Sequence, residues 1–173
     1  MEKPTNYLLV GLPYSGKSTL SAELKNRLGF EHINIDQLKF NRGYTEVGDD
    51  DVPDAVWDEI FQEADELLVK YLKEWESVAN EYAWITRKWR DRTRKVAKDS
   101  GFETKLIYIK LPMETIQQRR KENESTRNRF HWPDNEFETI LKDFEEPQAD
   151  EDVLIYDQTI PIEGWIEKNT RKK

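Results

Sequence analysis

The alternation of apolar and polar positions divides the chain into short strands followed by amphipathic helices. Tyr7–Gly11 is an apolar run read as a first strand, and Lys17–Leu28 follows as a helix with Leu20, Leu24 and Leu28 on one face. A second strand is expected at His32–Ile35, then a polar loop, then a long helix capped by Asp54 and running to about Trp75. The apolar stripe of that helix is Val56, Ile60, Ala64, Leu67, Leu68 and Tyr71. Ser77–Glu81 reads as a third, weakly apolar strand, Arg87–Ser100 as a helix, and Thr104–Lys110 as a fourth strand. A helix is expected from Met113 past Arg119, an irregular polar stretch over 123–133, a helix capped by Asp134 and ending before Pro147, a fifth strand at Val153–Tyr156, and a short last helix around Trp165. Two helices end in the same way, at Leu28-Gly29-Phe30 and Ser100-Gly101-Phe102, each followed directly by a strand. Glycine supplies the left-handed cap in both. Strands alternating with helices predict an α/β fold with a mainly parallel five-stranded sheet and helices on both faces.

At 173 residues the chain is sized for a single domain with a substantial core, spanning 1–173. No stretch approaches the ~18 apolar residues of a membrane span, and no basic-then-apolar leader precedes the first strand, so a cytoplasmic location is expected. The absence of cysteine excludes a disulfide framework and a thiolate metal site. A net charge of −8 counts against a general nucleic-acid binder. The charge is segregated: 46–66 and 134–152 are acidic, 87–98 and 119–129 basic. Most of these side chains are expected on solvated helix faces.

Between the first strand and first helix lies Gly11-Leu12-Pro13-Tyr14-Ser15-Gly16-Lys17-Ser18, followed by Thr19. Gly-x4-Gly-Lys-Ser after a strand and before a helix is a phosphate-binding loop. Its glycines allow backbone N–H groups to curl around phosphates, Lys17 reaches the β- and γ-phosphates, and the Ser18 hydroxyl faces Mg2+. The positive end of the helix dipole points at the same anion. The ligand expected is ATP or GTP with Mg2+. Asp36 falls just past the second strand, at the carboxyl edge where open α/β sheets bind ligands. It can accept a proton from a hydroxyl, hold magnesium, or merely cap a short helix beginning at Gln37. Lys39, one turn on, is placed to touch an anionic acceptor.

These residues, with Ile85-Thr86-Arg87-Lys88-Trp89-Arg90, Leu111-Pro112-Met113-Glu114, Arg119 and Phe144-Glu145-Glu146-Pro147 in order, make the chain resemble a group of small P-loop kinases. The group includes polynucleotide 5′-hydroxyl kinase, zeta-toxin-like kinases and chloramphenicol phosphotransferase, of the AAA-type ATP-binding kind, and the resemblance spans about 6–157. It implies γ-phosphoryl transfer to a hydroxyl, with Lys17, Asp36 and Arg119 catalytic and Asp36 the base. Arg119 opens a lid over about 119–133, from which Arg127 or Arg129 folds over the triphosphate. The family's aspartate at the end of the third strand is replaced by Asn80 or Glu81, the latter being the candidate metal-side carboxylate beside Ser18 and Asp36. A hydroxyl-bearing small molecule or nucleotide-like compound is the expected acceptor, with a polynucleotide 5′-hydroxyl as a rival disfavoured by charge. A nucleotide-gated module without phosphotransfer and a slow ATPase are the other readings. Among the aromatic residues, Trp57 and Trp75 are expected in the core, and Tyr82 and Trp84 at the crevice edge where a ring could stack on an acceptor. His32 is expected to be structural and His131 solvated.

Overall fold

A computed structural model describes residues 3–45 and 47–170. Glu46, in the first acidic block, and both chain ends of the expected domain lie outside the described residues. Five strands form one parallel sheet in the order β2-β3-β1-β4-β5: β1 (Thr5–Val10), β2 (Glu31–Asn34), β3 (Val78–Glu81), β4 (Glu103–Ile109) and β5 (Val153–Tyr156). The helices are α1 (Lys17–Leu28), α2 (Ile35–Asn41), α3 (Asp54–Lys73), α4 (Arg87–Asp99), α5 (Met113–Thr126), α6 (Asp134–Asp143) and α7 (Ile162–Asn169). Strand alternation sorts the core into two layers. Leu8, Val10, Ile33, Leu106 and Tyr108 pack with Ile60, Ala64 and Leu68 of α3. Tyr7, Leu9, Ile107 and Ile109 pack with Leu20 and Leu24 of α1 and Trp165 of α7.

The expected order of elements is present, and Gly29 and Gly101 both take positive φ at helix ends. Several boundaries differ from expectation. β2 stops at Asn34, whose side chain accepts from the Gln37 amide at 3.0 Å and so starts α2 where a loop is expected. Asp36 is therefore inside a helix, not its cap. Pro53 and Pro133 occupy the N-cap positions of α3 and α6, leaving Asp54 and Asp134 in the first turn, where a carboxylate complements the dipole. α3 ends at Lys73, and Trp75 turns outward with φ 72° and 47% exposure, so it is not a core residue. α5 continues to Thr126 through part of the expected irregular stretch.

β3 falls where the third strand is expected, one residue shorter, but its burial does not follow from its pattern. Its four residues are all buried between β1 and β2, although two are polar. Alternation places Glu81 on the α1 side of the sheet and Asn80 on the other. The basic block on α4 is likewise not a solvated face throughout. Arg90 is fully buried and donates twice to the equally buried Glu151, at 2.8 and 2.9 Å, and to the Glu145 carbonyl at 2.9 Å. Arg92 pairs with Asp65 on α3 and Arg87 with Asp150, each through two donors. The segment from Phe144 to Glu151 is thereby bolted to α4.

Candidate active site

The loop from Gly11 to Ser18 crosses the carboxyl end of β1 and passes directly into α1. Gly16 has φ 101°, a left-handed conformation that a β-carbon would strain. Lys17 Nζ donates to the carbonyls of Gly11 and Leu12, both at 2.9 Å, and so is held across the loop. Burial pulls its pKa down to about 8, against the raising influence of Glu81 and Asp36. Leu12 and Tyr14 pack against Ile116 and Phe137. Tyr14 is itself left-handed, φ 67°, and its hydroxyl accepts from the Trp132 amide at 3.2 Å. Pro13 lines the chamber beside Lys17 and Thr19 the cavity on the opposite side of the loop.

Glu81, at the end of β3, faces Ser18. Its carboxylate accepts from the Ser18 hydroxyl at 2.5 Å, the Ser21 hydroxyl at 2.9 Å and sits 2.8 Å from His32 Nε2. Burial raises its pKa, but these hydrogen bonds outweigh it and hold the carboxyl below its usual range. Of the two alternatives, Glu81 is thus the residue brought to the loop. Asn80 lies on the far face, its Oδ1 buried without a partner and its carbonyl accepting from Trp84 Nε1. Trp84 is 1% exposed and cannot stack on an acceptor.

Asp36 is brought to the same chamber, of about 180 Å³, which Lys17, Ser18, Glu81 and Arg129 also line. Its Oδ1 is buried and unpartnered. Burial, then Asp49, pushes its pKa up to about 6, while Lys39 and Lys17 pull it down. Lys39 does not face solvent or the chamber. It is 1% exposed, donates to the Val47 carbonyl at 3.2 Å and Asp49 Oδ1 at 3.0 Å, and lies within 6 Å of the rings of Phe40, Phe130 and Trp132. Asp49 accepts from the Tyr82 hydroxyl with its other oxygen, at 3.1 Å.

Arg119 reaches the loop from α5, donating to the carbonyls of Tyr14 and Ser15 at 3.2 Å and to Gln158 at 2.8 Å. Gln158 in turn donates to Ser15 at 2.8 Å. These residues wall a second cavity of about 500 Å³ that also touches Gly16, Thr19 and Arg129. Arg129 lines both cavities, and its charge bears on Lys17. Buried Asn123 fixes it, donating to the Arg129 carbonyl and accepting from the Arg129 amide, each at 3.1 Å. Arg127 is not brought to either cavity: it caps α5 with φ 49° and donates to Glu124. Arg120 is structural, bonded to Trp132 and Asp134 and stacked on Phe137.

Asp49, Asn123 and Gln158 are the site residues that sequence reading missed. Each is a polar side chain in a loop or on a polar helix face, and no spacing rule distinguishes it from its solvated neighbours.

The five-stranded parallel sheet, the loop at its carboxyl edge and the flanking helices are the fold of the P-loop kinases. Residues 7–147 match the AAA domain family, a P-loop kinase family, and the chain belongs to it. The sequence matches no curated protein. Among solved structures, the fold is similar to the Mycobacterium tuberculosis APS kinase in complex with AMPPNP and APS, with TM-score 0.71 and 15% identity over 97% of this chain and 96% of that one. It is similar to a sugar kinase from a Janibacter species, with TM-score 0.70 and 20% identity over 95% and 91%. A gluconokinase from Sinorhizobium meliloti gives TM-score 0.62 and 19% identity over 97% and 90%. Among the described residues no helix is long and apolar enough to cross a membrane.

Proposed function

We propose that this protein is a kinase that transfers the γ-phosphate of ATP to a hydroxyl of a small molecule, in one domain spanning 1–173 with a lid over about 119–133. The observation that carries the reading is the meeting of Lys17, Ser18, Glu81, Asp36 and Arg129 around one 180 Å³ chamber. Phosphoryl transfer demands positioning and charge stabilisation more than covalent chemistry. The base and ribose occupy the 500 Å³ cavity between Thr19, Arg119 and Gln158. The triphosphate lies along the loop, and Lys17 exchanges two carbonyl partners for phosphate oxygens. Ser18, Glu81 and Asp36 offer the hard oxygen donors that Mg2+ accepts together with phosphate oxygens and water. Magnesium, when bound there, neutralises charge on the phosphates. Asp36, ionised at neutral pH and with one oxygen unpaired, accepts the acceptor hydroxyl's proton. Arg129, at the joint between the two cavities, screens the charge that develops at the γ-phosphate.

The relatives named above include kinases of sugar-sized acceptors, which supports a small acceptor over a polynucleotide, as does the chain's acidity. The deciding experiment is incubation with labelled ATP, Mg2+ and a fractionated metabolite extract, followed by product analysis. Wild type labels an acceptor. Lys17→Ala weakens AMPPNP binding on the order of 10–100-fold. Asp36→Asn binds AMPPNP normally and loses about 10²–10⁴-fold in transfer. Tight ATP binding with no labelled product from any fraction would make the protein a nucleotide-gated module instead.

A further inference from the structure

Next to the phosphoryl-transfer chamber, and sharing Asp49, Tyr82 and Ile85 with it, lies a larger cavity of about 720 Å³. Asp50, Asp54, Asp58 and Asp143 stand around it. Trp57, Tyr82 and Trp89 supply its ring surfaces, and Trp89 is 39% exposed. No lysine, arginine or histidine among the described residues lines it. Two cations near it are already paired. Lys39 is held by Asp49, and Arg92, whose guanidinium lies 5.3 Å from the Phe61 ring and 5.9 Å from the Trp89 ring, is held by both oxygens of Asp65.

The carboxylates around this cavity do not form a metal site, since no three His, Cys, Asp or Glu side chains among the described residues converge where an ion could sit. They surround the cavity instead, giving a diffuse negative field over aromatic walls. Such a combination attracts an organic cation, by field focusing and by ring quadrupoles. A second, independent feature shows where the reacting end of a ligand belongs. Asp36 Oδ1 is buried and unpartnered in the inner chamber. A hydroxyl placed there satisfies that oxygen while the rest of the molecule extends between the rings and the aspartates.

Building on the kinase reading, we infer that the phosphoryl acceptor is a cationic amino alcohol with an apolar or aromatic portion, rather than an anionic sugar acid or nucleotide. Its hydroxyl lies at Asp36, its apolar portion against Trp57 and Trp89, and its ammonium group faces Asp54 and Asp58. Transfer leaves the atoms balanced: the hydroxyl oxygen bonds to the γ-phosphorus, the bond from that phosphorus to the β–γ bridging oxygen breaks, ADP departs, and Asp36 takes the hydroxyl proton.

The test uses three probes that differ in charge: N-benzylethanolamine (cationic), 2-(benzyloxy)ethanol (neutral) and 3-phenyllactate (anionic). Binding to the full-length protein is measured at low salt by ligand-observed NMR, with AMPPNP binding measured in the same samples. The expected order is cation, then neutral, then anion, with at least about a tenfold step from neutral to cation, the gain of the carboxylates' combined field on the ammonium group. The double substitution Asp54→Asn with Asp58→Asn, on the exposed face of α3, is expected to remove most of that step and leave AMPPNP affinity unchanged. Trp89→Ala is expected to weaken all three probes. Equal or tighter binding of the anion overturns the inference, as does a cation preference that survives the double substitution. Loss of AMPPNP binding with the preference intact would remove the kinase reading alone, and the cavity would stand as a cation site.

Discussion

Asp36 ionises where burial and Asp49 both oppose it, and only Lys39 and Lys17 favour it. The consequence for stability has a definite sign. The folded carboxyl titrates near pH 6, above its unfolded value of 3.8, so above pH 6 the folded state bears the whole cost of a buried charge. That cost falls away as pH drops from 6 towards 4. Asp36→Asn is therefore expected to stabilise the protein at pH 7.5, on the order of 2 kcal/mol, with the gain vanishing near pH 4. Urea titrations at the two pH values measure it, and a gain equal at both would mean that Asp36 is not strained by its charge. With Asp36 as the proposed base, transfer should fall about tenfold per pH unit below 6 as it is protonated. Sequence reading located this residue from its position after β2, because the carboxyl edge of a parallel sheet is where ligands bind. It misplaced Lys39: spacing puts a lysine one turn on, but not the aromatic cage and Asp49 that bury it. Such a cage is assembled from residues 130 and 132, about ninety positions away, and no local pattern announces it.

At the scale of elements, α4 carries the greatest discrepancy between pattern and structure. Its sequence reads as a basic solvated helix, yet Arg90 and Glu151 form an ion pair with both side chains fully buried. Each lone partner would be an uncompensated buried charge, so Arg90→Ala is expected to cost about 3–5 kcal/mol in urea unfolding. The double substitution Arg90→Met with Glu151→Leu should recover most of the loss, since a buried pair and an apolar pair of similar volume are near equivalent. Failure of the double variant to recover would show that the hydrogen bonds from Arg90 to the Glu145 and Trp84 carbonyls dominate. β3 obeys the same logic. Its polar Asn80 and Glu81 made it look weak, while the partners that allow Glu81 to be buried, Ser18, Ser21 and His32, come from other elements. The strands and helices with apolar periodicity were readable with errors of a few residues. The bounds of β3 and α4 were read within about a residue as well; what the pattern did not show was their burial through hydrogen bonds and charge pairs.

On the scale of the whole molecule, the sheet order keeps the loop, Asp36 and Glu81 at neighbouring strand ends, because β1 lies between β3 and β4 and β2 follows β3. In the proposed site the nucleotide side is bounded by α5, through Arg119 and the Asn123 bracket around Arg129. AMPPNP is accordingly expected to slow amide exchange across 123–132 as well as along the loop, by mass spectrometry. Protection confined to 11–19 would argue against a closing lid. The central place of β1 has a consequence for how the chain reaches this state. Thr5 bonds to a side chain 72 positions later and Asn6 to one 98 positions later. Of the five strands, β1 thus waits through the longest stretch of chain before both of its neighbours exist. During translation the nascent chain must carry an unpaired apolar strand through the emergence of α1, β2, α3 and β3, a long exposure for a surface of this kind. A ribosome-stalled fragment ending at residue 100 should remain protease-sensitive and bind a holdase chaperone, and the cooperative transition should appear only once β4 has left the exit tunnel.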